Sequence, residues 1–201
     1  MNVNDQVDAQ LRALQLMQLV ILSAVDSVCR RNGIKYYIVG GTLLGAVRHG
    51  GFNPWDDDVD IAMYRNDYNK FLEVASLELG EAFYVQTWQK DKRYPRYIAK
   101  VRAVGTCYLE EPFADVDMHH GVFIDIFPLD KIPKAHGPLI HLRGFASRLL
   151  RTFKSIKEVH SAAIAVDCGK GKLKQFAKSL IRPFASLLSD DLIGHCLHYV
   201  H

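Results

Sequence analysis

Long apolar runs are missing from this 201-residue chain. The best is "LVILSAV", Leu19 to Val25, far short of the roughly 20 residues that a membrane-spanning helix needs. A basic patch leading into an apolar stretch is missing too. The N-terminus, "MNVNDQVDAQLRALQ", carries acids and amides where a secretory signal would be basic, so the chain is expected inside the cell. Cysteine spacing of the C-x-x-C kind is absent: Cys29, Cys107, Cys168 and Cys196 are scattered, which suits reduced thiols better than a disulfide framework or a zinc site. Internal repeats and low-complexity tracts are absent. What the chain does have is 49% hydrophobic residues, enough to bury a full core as one domain or as one domain with a helical appendage.

Charge divides the chain. Residues 1–130 carry 13 Lys and Arg against 18 Asp and Glu, whereas residues 131–201 carry 12 against 4. "LDKIPKAHGP", with its Pro, Gly and charge, reads as a linker near the boundary. Beyond it, helical periodicity dominates near residues 139–164, 173–181 and 184–199, the last two separated by Pro183. A basic helical segment of this kind presents either a solvated exterior or a face for an anionic surface.

The first 130 residues alternate in pattern. Leu11, Leu14, Met17, Ile21, Ala24 and Val28 recur at three and four, which predicts a long helix buried along that stripe and stopped at Asn32-Gly33. "KYYIV" predicts a strand, Gly40-Gly41 a tight turn, and "TLLGAVRHG" a short helix opened by Thr42. "DVDIAM" predicts a second strand. "NDYNKFLEVASLEL" predicts a helix with Tyr68, Phe71, Leu72, Ala75 and Leu79 on one stripe, and "AFYVQTW", "RYIAKVRAV" and "GVFIDIF" predict three further strands. The class is α+β: a mixed sheet with flanking helices, a long N-terminal helix and a helical C-terminal segment.

Four aspartates crowd into five positions, Asp56, Asp57, Asp58 and Asp60, and run straight into apolar residues. Unit charges 4 Å apart repel by about 1 kcal/mol in water and more at lower dielectric, so the cluster calls for a cation. Successive strand side chains alternate in direction, which places Asp58 and Asp60 on one face and Val59 and Ile61 in the core. Paired carboxylates are hard ligands suited to Mg²⁺, with Mn²⁺ as a substitute, in company with substrate phosphates. The glycine turn supplies the phosphate end. Gly40 and Gly41 permit close backbone approach, the helix start at Thr42 aims N–H groups at an anion, and the planar guanidinium of Arg48 matches phosphate geometry.

"GTLLGAVRHGGFNPWDDDVDIAM" together with "GVFIDIFPLD" closely resembles the LicD-type phosphorylcholine transferase family, whose wider relatives include the fukutin-related proteins. The resemblance covers roughly residues 34–130 and implies a nucleotidyltransferase-like catalytic domain over 1–130. It implies a third acid, Asp125, between Ile124 and Ile126, completing the metal site with Asp58 and Asp60 and orienting or deprotonating the acceptor. It implies a donor-binding cation in "AKVR", where Lys100 is the match and Arg102 its neighbour. The implied activity is Mg²⁺-dependent transfer of phosphocholine, or a related substituted phosphate, from CDP-choline or a similar CDP-linked donor to a hydroxyl of a glycan or lipid-linked glycan precursor, as in lipopolysaccharide or teichoic acid modification. That acceptor suits peripheral attachment at the inner face of the membrane through residues 131–201, with no nucleic-acid partner. Family members usually continue past the point where this chain stops.

Two other readings fit the same residues. One is transfer of a whole nucleotide from an NTP to a small molecule or protein. The other is a truncated, catalytically silent protein whose basic helices bind a partner, against which the retention of three aspartates weighs. Trp55, Trp88, Tyr94, Tyr97 and Phe113 are candidates for an aromatic cage around a quaternary ammonium, or for ordinary core. His119-His120 lacks zinc-type spacing and reads as a turn, and His195 and His198 have no third ligand.

Overall fold

The computed structural model describes the backbone of residues 3–131 and the side chains of residues 8–131. The chain divides after Asp130. The predicted C-terminal helices, Cys168, Cys196, His195, His198 and all but the first residue of the basic segment lie outside the described residues.

Helix α1 spans Val3–Asn32. It stops as Asn32-Gly33 predicts: Gly33 takes a φ of 62°, donates to the Arg30 carbonyl, and Ile34 donates to the Cys29 carbonyl at 2.9 Å. These two bonds make a Schellman cap, with Ile34 and Cys29 both buried. By length and composition alone, residues 8–32 would also suffice to cross a membrane. In the fold one side of this helix is built into the core through Ile21, Val25 and Val28.

The sheet follows. Strand β1 is only Tyr37–Ile38, shorter than "KYYIV" suggests. Helix α2 is Gly40–His49 and starts at the glycines themselves, with Val39 as its N-cap, so Thr42 lies inside its first turn and does not open it. Strand β2 is Asp60–Tyr64, helix α3 Arg65–Glu78, β3 Phe83–Gln86, β4 Ala99–Ala103 and β5 Phe123–Leu129. The strand order is β1-β2-β5-β4-β3, with β2 and β5 parallel and every other pair antiparallel, a mixed sheet in an α+β fold. Pro128 is tolerated within β5 because the pairing with β4 ends at Ala99 and Ile126, leaving no ladder donor required on that side.

Alternation along the strands separates two faces. Ile61, Met63, Val85, Ala99, Val101, Ala103, Ile124 and Ile126 join the core with α1 residues and with Tyr68, Phe71 and Ala75 of α3. The opposite face carries Asp60, Asp125, Lys100 and Gln86. Arg65 of α3 ties the end of β5 in place by donating twice to Asp130, at 2.7 and 2.5 Å.

Gly45 is buried where α2 crosses the loop ahead of β2. A Cβ there would sit 2.6 Å from Asn53 N and 2.6 Å from the Gly51 carbonyl oxygen. Alanine favours helix over glycine by about 1 kcal/mol, but overpacking typically costs about 1–3 kcal/mol. Gly45→Ala is therefore expected to lower the urea midpoint at unchanged m-value, and a rise in midpoint would show that the loop yields freely.

Candidate active site

Strand register brings the two best-placed aspartates together. Asp60 of β2 is directly opposite Asp125 of β5 in the parallel pair, Lys100 of β4 is opposite Asp125, and Gln86 of β3 is opposite Lys100. One polar row thus crosses four strands on the face away from the core. Asp58 lies two residues ahead of the β2 strand bounds, but the Val59 carbonyl still accepts from Asp125 N at 2.8 Å, and Asp58 and Asp60 are both half-buried around it. Val59 between them is fully buried.

The start of β2 is pinned to the start of α2. Asp60 N donates to Thr42 Oγ1 at 2.8 Å, and Val39 N donates to the Asp60 carbonyl at 3.1 Å. That is the work of Thr42 in the fold: its hydroxyl accepts from Asp60 and retains its own proton to donate. Gly40, at φ 59°, sits so close that a Cβ would lie 3.0 Å from Asp60 Oδ2, and a Cβ on Gly41 would lie 2.5 Å from Asp56 Oδ2. At Gly40 the positive φ favours glycine, whereas a side chain at Gly41 would have to displace the Asp56 carboxylate. Arg48 is exposed in the last turn of α2, eight residues past Gly40 and so about 12 Å along the helix. The structure does not bring it to the glycine turn.

The acidic loop is tied from several sides. Asn53 Nδ2 donates to the Gly41 carbonyl and to Asp56 Oδ2, and Tyr108 OH donates to Asp57 Oδ2 at 2.6 Å. Gln15 Nε2 of α1 donates to the carbonyls of Asn53 and Asp56, and Gln18 Nε2 donates to the Asp57 carbonyl at 2.7 Å. Oxygens of Asp56, Asp57 and Asp58 come within 4.8 Å of one another. Burial, then the neighbouring charges of Asp58, Asp125 and Asp56, pushes the Asp60 carboxyl up to about 6. Burial and like charges likewise raise Asp58, and burial raises Asp125 despite Lys100 beside it. Hard oxygen donors whose like charges Lys100 offsets only in part fit a divalent cation such as Mg²⁺.

Lys100 is fully buried, and its ammonium lies 2.9 Å from Asp125 Oδ1, 3.1 Å from Glu110 Oε1, and over the ring of Phe123. Burial lowers its pKa against the pull of the two carboxylates. Arg102, equally buried, donates to Gln86 Oε1, the Gly121 carbonyl and Glu110 Oε2 at 2.5, 2.7 and 3.0 Å. Glu110 therefore joins both cations. Burial alone would raise it, but Lys100 and Arg102 outweigh that and hold it below the usual carboxylate range. Sequence reading passed over Glu110 because it lies in a loop. The available signal was two cations on one face of a central strand, which require an acid partner.

The five aromatics do not meet in one cage. Trp88 packs edge-on to Tyr97 with Lys92 over its ring, and Phe113 lies under Arg96. Tyr94 is buried, and Trp55 is 71% exposed with a His49 ring edge against it. His119 accepts from Gly121 N and stacks on Tyr84, while His120 Nε2 bonds the Val116 carbonyl, which are loop ties. Cys29 is buried, with its thiol pushed up to about 12 by that burial and by nearby aspartates, and Cys107 is exposed.

Residues 33–145 match the family described as LicD/FKTN/FKRP, nucleotidyltransferase domain. A lipopolysaccharide cholinephosphotransferase, LicD, of Haemophilus influenzae is 33% identical over 148 residues, covering 74% of this chain and 55% of that protein. The human ribitol 5-phosphate transferase FKRP is 36% identical over 70 residues, covering 35% of this chain and 13% of the relative. An uncharacterised protein of Rickettsia prowazekii is 48% identical over 56 residues, covering 28% of this chain and 20% of its own length. The chain thus spans about half the length of the Haemophilus protein and a smaller share of the others.

Proposed function

The chain belongs to the LicD/FKTN/FKRP nucleotidyltransferase-domain family, and from that premise we propose that it transfers a substituted phosphate, phosphocholine first among them, from a CDP-linked donor to a hydroxyl of a glycan precursor. The observation that carries this reading is the register of Asp60 with Asp125 beside a glycine helix start that almost touches Asp60. Acids and free N–H groups at one point answer the two needs of phosphoryl transfer, a cation site and an oxyanion grip.

Asp58, Asp60 and Asp125 would hold Mg²⁺, or Mn²⁺ in its place. Such a cation, when bound, draws negative charge from the donor phosphates and so eases departure of the CMP leaving group. The N–H groups of Gly40 and Gly41 and the free hydroxyl proton of Thr42 take phosphate oxygens. Arg48, at the far end of α2, serves the outer part of the donor. Lys100, held between Asp125 and Glu110, supplies positive charge from beneath the site. Asp125, kept above the ordinary carboxylate range by burial, receives or orients the acceptor's hydroxyl proton.

Donor identity is tested by thermal shift. CDP-choline with Mg²⁺ is expected to raise the melting temperature more than CTP, CMP or CDP-ribitol, since a ligand that binds only the native state stabilises it. A quaternary ammonium needs an aromatic face or carboxylates, and the exposed ring of Trp55 borders Asp56 and Asp57 in the chain. Trp55→Ala should erase most of the advantage of CDP-choline over CDP. A larger shift with an NTP, with pyrophosphate released in the presence of an acceptor, would establish nucleotide transfer instead. No shift with any of them would leave the silent, partner-binding reading.

A further inference from the structure

Helix α1 carries two buried carboxamides on the side where an amphipathic helix would place aliphatic residues. Gln15 is 4% exposed and Gln18 1% exposed, on the turns that precede the core residues Ile21 and Val25. Buried amides are costly unless hydrogen-bonded, and the Nε2 donors of both go to one target, while Gln15 Oε1 accepts from Arg12 and Gln18 Oε1 has no protein partner. Gln15 Nε2 reaches the carbonyls of Asn53 at 3.2 Å and Asp56 at 3.0 Å, and Gln18 Nε2 reaches that of Asp57 at 2.7 Å. Three carbonyls of a single loop, about 40 residues away in sequence, are gathered by adjacent turns of one helix. The loop so held leads directly into Asp58 and Asp60. A helix donates these bonds at a fixed rise of about 1.5 Å per residue, so it acts as a ruler along the loop.

We infer that Gln15 and Gln18 are positioning residues for the divalent-cation site: they fix the backbone of residues 53–57 so that the carboxylates following it stay together despite their mutual repulsion. The inference rests on the cation reading of the proposed function. It also assigns a part of the site to a helix that precedes the family-matched residues 33–145. Groups that orient ligands without touching the metal commonly control affinity by about 10- to 100-fold. Methionine matches glutamine in length and lacks its donor, so Gln→Met removes the bonds with little change in packing.

The test uses the full 201-residue chain and Mn²⁺ as the probe, with binding followed by calorimetry and by the free Mn²⁺ resonance signal. Gln15→Met/Gln18→Met should weaken Mn²⁺ by about tenfold or more and speed amide exchange across residues 56–58. Val25→Ala, a core change on the same helix away from the loop, should lower the melting temperature without either effect. If the double variant does not fold, Gln18→Met alone carries the test. Mn²⁺ affinity within twofold of wild type, with loop exchange unchanged, would overturn the inference. If the unaltered protein binds no Mn²⁺, the cation reading fails on its own, and amide exchange alone then decides whether the glutamines position the loop.

Discussion

Asp60→Asn is expected to make the metal-free protein melt higher at pH 7.5 while lowering transfer from the donor by about 10²-fold or more, the scale on which loss of one electrostatic contact to a transition state is felt. Opposite effects on stability and activity are the mark of a site where like charges are held together for a ligand. The sign of the stability change follows from titration. The Asp60 carboxyl is raised to about 6 by burial first and then by Asp58, Asp125 and Asp56. Because the folded value lies above the unfolded one, the folded state favours the protonated acid. The stability contributed by that acid is complete below about pH 4 and is lost as pH rises through about 6. In EDTA the variant and the wild type should therefore melt together near pH 4, and the variant should gain its advantage between pH 4 and 7. On the proposed cation reading, Mg²⁺ should reverse the order above pH 7 by stabilising the wild type more than the variant. A metal-free advantage that shrinks as pH rises, or near-normal turnover at limiting Mg²⁺, would remove Asp60 from the cation site.

The second large effect lies beneath that site. Arg102→Met takes away the three hydrogen bonds to Gln86, Gly121 and Glu110 and leaves Glu110 with Lys100 as its close cation partner and Arg96 at 3.8 Å. Breaking one side of a buried ion pair typically costs about 3–5 kcal/mol, whereas replacing both partners with neutral groups is often much milder. Urea unfolding of Arg102→Met should show a loss of that order, and Arg102→Met/Glu110→Gln should recover part of it. The double-mutant cycle isolates the coupling. Full additivity would mean that Arg102 contributes through packing against Phe123 and not through Glu110.

The strands were legible because their alternation is uninterrupted. Apolar Ile124 and Ile126 around Asp125, and Ala99, Val101 and Ala103 around Lys100 and Arg102, leave one assignment of faces, and the registers agree with it. The core face of α1 was largely legible. Ile21 and Val28 of the predicted stripe are buried, and Leu14, Met17 and Ala24 pack against the core. What periodicity did not show is that the buried face also takes in Gln15 and Gln18, because a search for apolar spacing passes over polar side chains. The glycine turn was legible as chemistry and displaced by two residues as geometry: helix α2 includes Gly40 and Gly41 instead of starting at Thr42, and Gly40 makes the entry with a φ of 59° that glycine alone adopts freely. Glu110 escaped because loop position carries no periodic signal.

Parallel pairing of β2 with β5 has a consequence for how the molecule is made. Asp60 and Asp125 become neighbours only when a loop of some 65 residues closes, and the entropy of that closure must be met before the contacts it enables can form. A parallel pair admits no hairpin shortcut. During synthesis the central edge of β2 stays without its partner until the chain has been extended through Leu129, whereas the β3–β4 hairpin is complete by Ala103. The two carboxylates thus become neighbours only through β5, the last of these strands to be made, which sets Asp125 beside Asp60 of β2 on one side and Lys100 of β4 on the other.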